Sequence, residues 1–159
     1  MRTPPRIETL YPKLLVGMRR EMSHAEDTTP ELWRAFGPRI REVENRATDE
    51  MIAMRLYLES AEGVYDPDAR YSRWAALEVT DFHHVPDGME TYRLDGGTYA
   101  VFVHRGPGSD VGIFQHIFGE WLPESGRELA HREHLEILPA GYDPRDPDAT
   151  EEIWIPIEP

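Results

Sequence analysis

Cysteine is absent from the 159-residue chain, which excludes disulfides, thiol nucleophiles and cysteine metal sites together and suits a reducing cytosol. Long apolar runs are missing too. The N-terminal run LLVGM is too brief and too far in for a signal peptide, and nothing approaches the ~20 apolar residues of a membrane span. Basic charge is scarce: seventeen Lys and Arg against thirty Asp and Glu leave a formal charge of −13, which repels a phosphate backbone and argues against direct nucleic-acid binding. The expectation is a soluble cytoplasmic protein whose charge serves solubility and draws cationic small molecules toward its surface.

What the chain does contain fits one compact domain over residues 1–159, with 40% hydrophobic residues and a length at which roughly 70% of the unfolded surface is buried. Residues Ile7 to Met18 read as a strand interrupted at Pro12. Thr28-Thr29-Pro30-Glu31 then offers a capping box and an early-helix proline, followed by Leu32, Trp33, Phe36, Ile40 and Val43 at helical spacing, with Gly37-Pro38 as a kink. MIAMRLYLES (51–60) and RWAALEVTDF (73–82) are two strands joined through Gly63-Val64-Tyr65-Asp66-Pro67. The second half opens with a hairpin-like segment over 89–106, broken at Gly96-Gly97. A helix capped by Ser109 follows, carrying Val111, Ile113, Phe114, Ile117, Phe118, Trp121 and Leu122 and ended by Pro123 and Gly126. Two strands near 132–138 and 152–157 complete it.

The order strand, helix, strand, strand therefore occurs twice, in halves of about 1–82 and 83–159. Tyr65-Asp66-Pro67 matches Tyr142-Asp143-Pro144 at a shift that also sets Glu59 opposite Glu136. Two such halves predict an α+β fold: a pseudo-twofold antiparallel sheet with both helices on one face and a ligand groove between the halves.

Few constellations carry chemistry. His131 and His134 point to opposite faces of an extended strand and cannot chelate together, and His83-His84 lacks a second ligand pair, so no metal site or cofactor is implied. Ser125 lacks the flanking glycines of a nucleophile elbow, and neither Gly96-Gly97 nor Gly106-Pro107-Gly108 is a phosphate cradle. The helical aromatics Trp33, Phe36, Phe118 and Trp121 are explained first by core packing. Strand aromatics occupy both faces, so a helix-free face carrying Tyr57, Trp74 or Trp154 is an apolar surface open to use. In HREHLEIL (131–138), alternation sets Glu136 with His134 and Leu138 opposite Leu135 and Ile137. A solvated face is the plain reading of that carboxylate, and a pocket wall the functional one.

YAVFVHRGPGS, WLPESGREL, HLEIL and the terminal EEIWIPIEP, with ELWRAF and RWAALEV in the first half, resemble the gyrase-inhibitor-like small-molecule-binding family, which also supplies effector-binding domains to bacterial transcription regulators. The resemblance implies an aromatic groove with one acidic residue. The family's groove glutamate matches Glu136 and the terminal aromatic matches Trp154, while Leu138 stands where relatives carry an aromatic. Ligand-binding candidates are therefore Glu136, Trp154, Tyr57, Trp74, Tyr99, Phe102, Leu138 and Trp33. With no DNA-binding segment ahead of the domain, the resemblance implies stand-alone binding of hydrophobic, cationic or polycyclic molecules, for effector sensing or for drug or toxin sequestration. It leaves two alternatives: hydrolysis of reactive cyclopropane-containing natural products with Glu136 as base and Tyr57 or Tyr99 orienting the substrate, and contact with a protein partner, gyrase or a regulator.

Overall fold

The structure, a computed structural model, describes residues 3–58, 66–107 and 112–159. Glu59, Gly63 to Tyr65, Gly108, Ser109 and Val111, all used in the sequence reading, lie outside them. Eight strands form a single sheet: β1 (Arg6–Leu10), β2 (Lys13–Met22), β3 (Met51–Tyr57), β4 (Tyr71–Val79), β5 (Glu90–Leu94), β6 (Gly97–Arg105), β7 (His134–Leu138) and β8 (Thr150–Pro156). Their order is β1-β6-β8-β7-β3-β4-β2-β5, antiparallel throughout. Read from either end, the same succession of equivalent strands appears, so the repeat is a pseudo-twofold about the β3–β7 ladder.

Two segments depart from the sequence reading. Pro12 does not interrupt one strand but separates two that are not neighbours in the sheet: β1 pairs with β6, while β2 pairs with β4 and β5. Likewise β5 and β6 are not a hairpin, because β5 pairs with β2. Each half thus lends its first short strand to the outer edge of the other. When Leu10 is laid on the equivalent Leu94, the registers carry Ala53 onto Glu136, and these two residues are also each other's cross-strand partners. The pseudo-dyad passes through that pair.

The exchanged strands curl the sheet. Leu10 and Leu94, from opposite edges, share one buried cluster with Leu15, Trp74 and Tyr99. A Cβ on Gly96, which holds φ +87°, would overlap the carbonyl oxygen of Leu10, so the two crossings run against each other where only glycine fits.

The helices cover the other face. α1 (Thr29–Phe36) runs into a 3₁₀ turn at Gly37–Glu42, the form taken by the expected kink. The capping box is not made: Thr28 provides no side-chain cap, and the carboxylate of Asp27 accepts the Thr29 N–H at 2.9 Å instead. The second helical segment is α2 (Gly112–His116), a π turn (Ile117–Trp121) and α3 (Leu122–Ser125). Pro123 does not end it. Proline lacks an N–H and crowds the carbonyl four residues back, and here a π turn, with its longer hydrogen-bond step, stands directly before it; Gly126, at φ 74°, makes the stop. Leu32 and Phe36 pack on Val16, Ala75 and Leu77, and Ile113 and Ile117 pack on Ala100, Phe102, Ile153 and Ile155.

Gly96→Ala is expected to destabilise the fold by about 1–3 kcal/mol, read as a lower urea midpoint at unchanged slope.

Candidate functional site

Strand register decides which side chains meet. Across five neighbouring strands Ala75, Ala53, Glu136, Ile153 and Phe102 form one row, and Ala75, Ile153 and Phe102 are the residues on which the helices pack. Glu136 therefore stands on the helix-bearing face, in the interval that α1 and α2 leave between them. The adjoining row, Trp74, Met54, Leu135, Trp154 and Val101, points the other way.

The interval between the helices is a groove of about 840 Å³. Trp33 from α1 stands on one side, Phe114 and Phe118 from the second helical segment on the other, with Met51, Leu138, Ile153 and Ile155 as apolar floor. Phe118 belongs to the π turn, a deviation that recurs at functional sites.

Polar groups occupy the centre of the floor. Arg73 donates from Nη2 to Glu136 Oε1 at 3.3 Å, with side chains only 7% and 15% exposed. Arg73 lies on β4 and Glu136 on β7, so the guanidinium must pass over β3; the residue beneath is Ala53, whose methyl leaves the path clear. Arg55 is the cross-strand partner of both Arg73 and His134, and beside Arg73 this sets like charges together, which costs stability. Its guanidinium lies 4.8 Å from the centre of the Tyr71 ring, a cation–π contact that offsets part of that cost.

The two ends of the groove carry different titrating groups. At one, His24 and Tyr57 share a hydrogen bond of 2.8 Å, and Tyr57 packs edge-on against His134. Burial and then the charge of Arg55 push His24 down to about 4 and His134 down to about 3, so both imidazoles are neutral at pH 7. At the other end burial, followed by repulsion from Glu136, pushes the Glu151 carboxyl up to about 7. Burial and then Glu151 also push the Tyr142 hydroxyl up. Arg55 thus stands at one end with Asp27 and two neutral imidazoles, and the carboxyls of Glu136 and Glu151 stand toward the other.

Of the residues chosen from sequence, Glu136, Leu138, Tyr57 and Trp33 line this groove. Trp74, Tyr99 and Trp154 do not: they lie on the opposite face, where the curl of the sheet buries what was expected to be open surface. There Trp74 meets Tyr92, Tyr99 meets Trp154, and Tyr99 donates its hydroxyl to the Glu133 carbonyl at 2.8 Å. Phe102 shares a face with Glu136 but is covered by Trp121, 5.2 Å away edge-on. Residues missed from sequence include Arg55, Arg73, Glu151, Tyr142, His24 and Phe118. Single arginines inside the apolar strands MIAMRLY and RWAALEV were the available signal. Among the described residues no cluster of three or more metal-ligating side chains occurs, and no helix is long and apolar enough to cross a membrane.

A curled antiparallel sheet of eight strands with two helical segments on one face and a lined groove between them defines an α+β ligand-binding fold. More narrowly, the chain belongs to the GyrI-like small molecule binding domain family, whose model matches residues 3–158. It is 30% identical over 147 residues, 90% of its length, to the transcriptional regulator BrlR of Pseudomonas aeruginosa. The chain spans 51% of that curated relative, about half its length. Among solved structures it resembles the EcmrR C-terminal domain, with a TM-score of 0.73 at 12% identity, covering 97% of this chain and 96% of that one. It also resembles SAV2435 bound to tetraphenylphosphonium, with a TM-score of 0.67 at 14% identity over 98% and 94% of the two chains.

The raised Glu151 carboxyl carries a stability consequence. Its proton is held more tightly folded than unfolded, so stability falls as pH rises from the ordinary 4.5 to about 7 and stays at the lower level above. Glu151→Gln is expected to raise the melting temperature by several degrees at pH 8, with the gain vanishing at pH 4.5; an equal gain at both would show that Glu151 is not the titrating group.

Proposed function

We propose that this chain binds lipophilic, cationic or polycyclic small molecules in the groove between the helices, in effector sensing or in drug or toxin sequestration. The observation that carries the reading is a largely buried carboxylate, Glu136, set between aromatic walls from two helical segments. Aromatic faces attract a cation and accept flat apolar bodies, and a carboxylate sheltered from water attracts positive charge more strongly than one on the surface. Arg73 keeps that carboxylate compensated while the groove holds no ligand, and an arriving cation takes over part of its role. Binding of tetraphenylphosphonium by a structural neighbour supports the same chemistry.

Hydrolysis with Glu136 as base draws less support from the geometry. The carboxylate is engaged by Arg73, and Tyr99, one of the two tyrosines considered for orienting a substrate, is on the far face.

Titration with tetraphenylphosphonium, followed by tryptophan fluorescence, is expected to show saturable binding whose signal is lost in Trp33→Phe. Glu136→Gln is expected to weaken it about tenfold, equivalent to ~1.4 kcal/mol, while leaving the neutral analogue triphenylphosphine oxide nearly unaffected. Absence of binding, or equal affinity in Glu136→Gln, would overturn the reading.

A further inference from the structure

The groove holds two arginines that a site for cations alone does not require. Two arginines, Arg73 buried and Arg55 partly buried, lie directly opposite each other on β4 and β3, and one carboxylate, Glu136, is bonded to Arg73. The Nε atoms of both Arg55 and Arg73 are buried without a hydrogen-bond partner, an arrangement that costs stability. Arg73 at least bonds Glu136. Arg55 lines the groove and, among the described residues, forms no ion pair; it lies against the face of Tyr71, and Tyr57 and Glu136 act on its charge through space. Asp27 also lines this end; its carboxylate accepts the Thr29 N–H and acts on both arginines through space without bonding either. The histidines facing Arg55, His24 and His134, are neutral and supply no countercharge. A guanidinium on a ligand groove whose Nε lacks an acceptor, kept beside a second one in the same condition, is the mark of a group able to take one.

We propose that Arg55, assisted by Arg73, forms an anion-receiving subsite beside Glu136, so that the groove selects ligands carrying a carboxylate or similar compact anion next to a cationic aromatic body. This rests on the cation-binding reading above and narrows its ligand class from cations to zwitterions. The placement suits such a molecule. Its cationic body lies toward Glu136 and Glu151 between Trp33 and Phe118, and its anion lies toward Arg55 at the Tyr57 end. The anion then separates the two guanidinium charges and accepts the hydrogen bonds that Arg55 lacks.

A matched dye pair tests this. Rhodamine 110 carries a free carboxylate, and rhodamine 123 is its methyl ester with the same cationic ring system. By fluorescence polarisation on the full chain, the free acid is expected to bind about tenfold more tightly, the increment of a charge-assisted hydrogen bond in a sheltered site. Arg55→Met is expected to erase that preference, and Arg55→Lys to keep part of it. Equal or tighter binding of the ester by the native chain overturns the subsite, whether or not the variants fold, and leaves the cation-binding reading standing. A preference that persists in folded Arg55→Met also overturns it. If neither dye binds and tetraphenylphosphonium does not either, the parent reading fails with it.

Discussion

The ladder between β3 and β7 is the constraint on which the rest of the molecule turns. It joins the two halves at their centre, and its register, with Ala53 opposite Glu136 and Met54 opposite Leu135, assigns every neighbouring side chain to one face or the other. A slip of one residue would exchange the faces, sending Glu136 into the apolar interior of the curl and Leu135 into the groove. Such a slip is opposed on both sides. The inner face must bury Met54, Leu135 and Trp74, and a buried carboxylate without its arginine costs several kcal/mol.

The curl separates two tasks that a flat sheet would have to share. Exchange of β1 and β5 between the halves closes one face on itself, where Leu10, Leu15, Leu94, Tyr99 and Trp74 form a core that owes nothing to the helices. The helices are then free to stand apart on the other face, each over its own cluster, leaving the ladder as the floor of the groove between them. The groove can carry Arg55, Arg73, Glu136 and Glu151, all unfavourable as core residues, because stability is supplied elsewhere. Arg132 ties the inner face to the chain end, donating to the carbonyls of Gly96, Thr98 and Ile157.

Much of the fold was legible in the sequence, and the site only in part. Helical spacing from Leu32 to Phe36 and alternation through YAVFVH placed elements correctly, because each signal is local. Alternation also set Glu136 apart from Leu135 and Ile137. What no single strand reveals is how its phase relates to that of its neighbour. Trp74 and Trp154 are aromatic, lie in strands of opposite halves and fit a groove wall by composition, yet the registers set them on the face away from Glu136. Arg55 and Arg73 were passed over for the same reason: each is one charge in an apolar strand until pairing brings them together. The exchange of β1 and β5 was hidden behind Pro12 and Gly96-Gly97, which read equally well as an interruption and a turn.

The central claim is that ligands enter on the helix-bearing face, over the Ala53–Glu136 pair. A crystal structure of the protein with tetraphenylphosphonium tests it most directly. The account predicts the phosphonium between Trp33 and Phe118, with Glu136 its nearest carboxylate and Arg73 drawn back from its 3.3 Å contact. A phosphonium seated against Trp74 and Trp154 on the opposite face would contradict it.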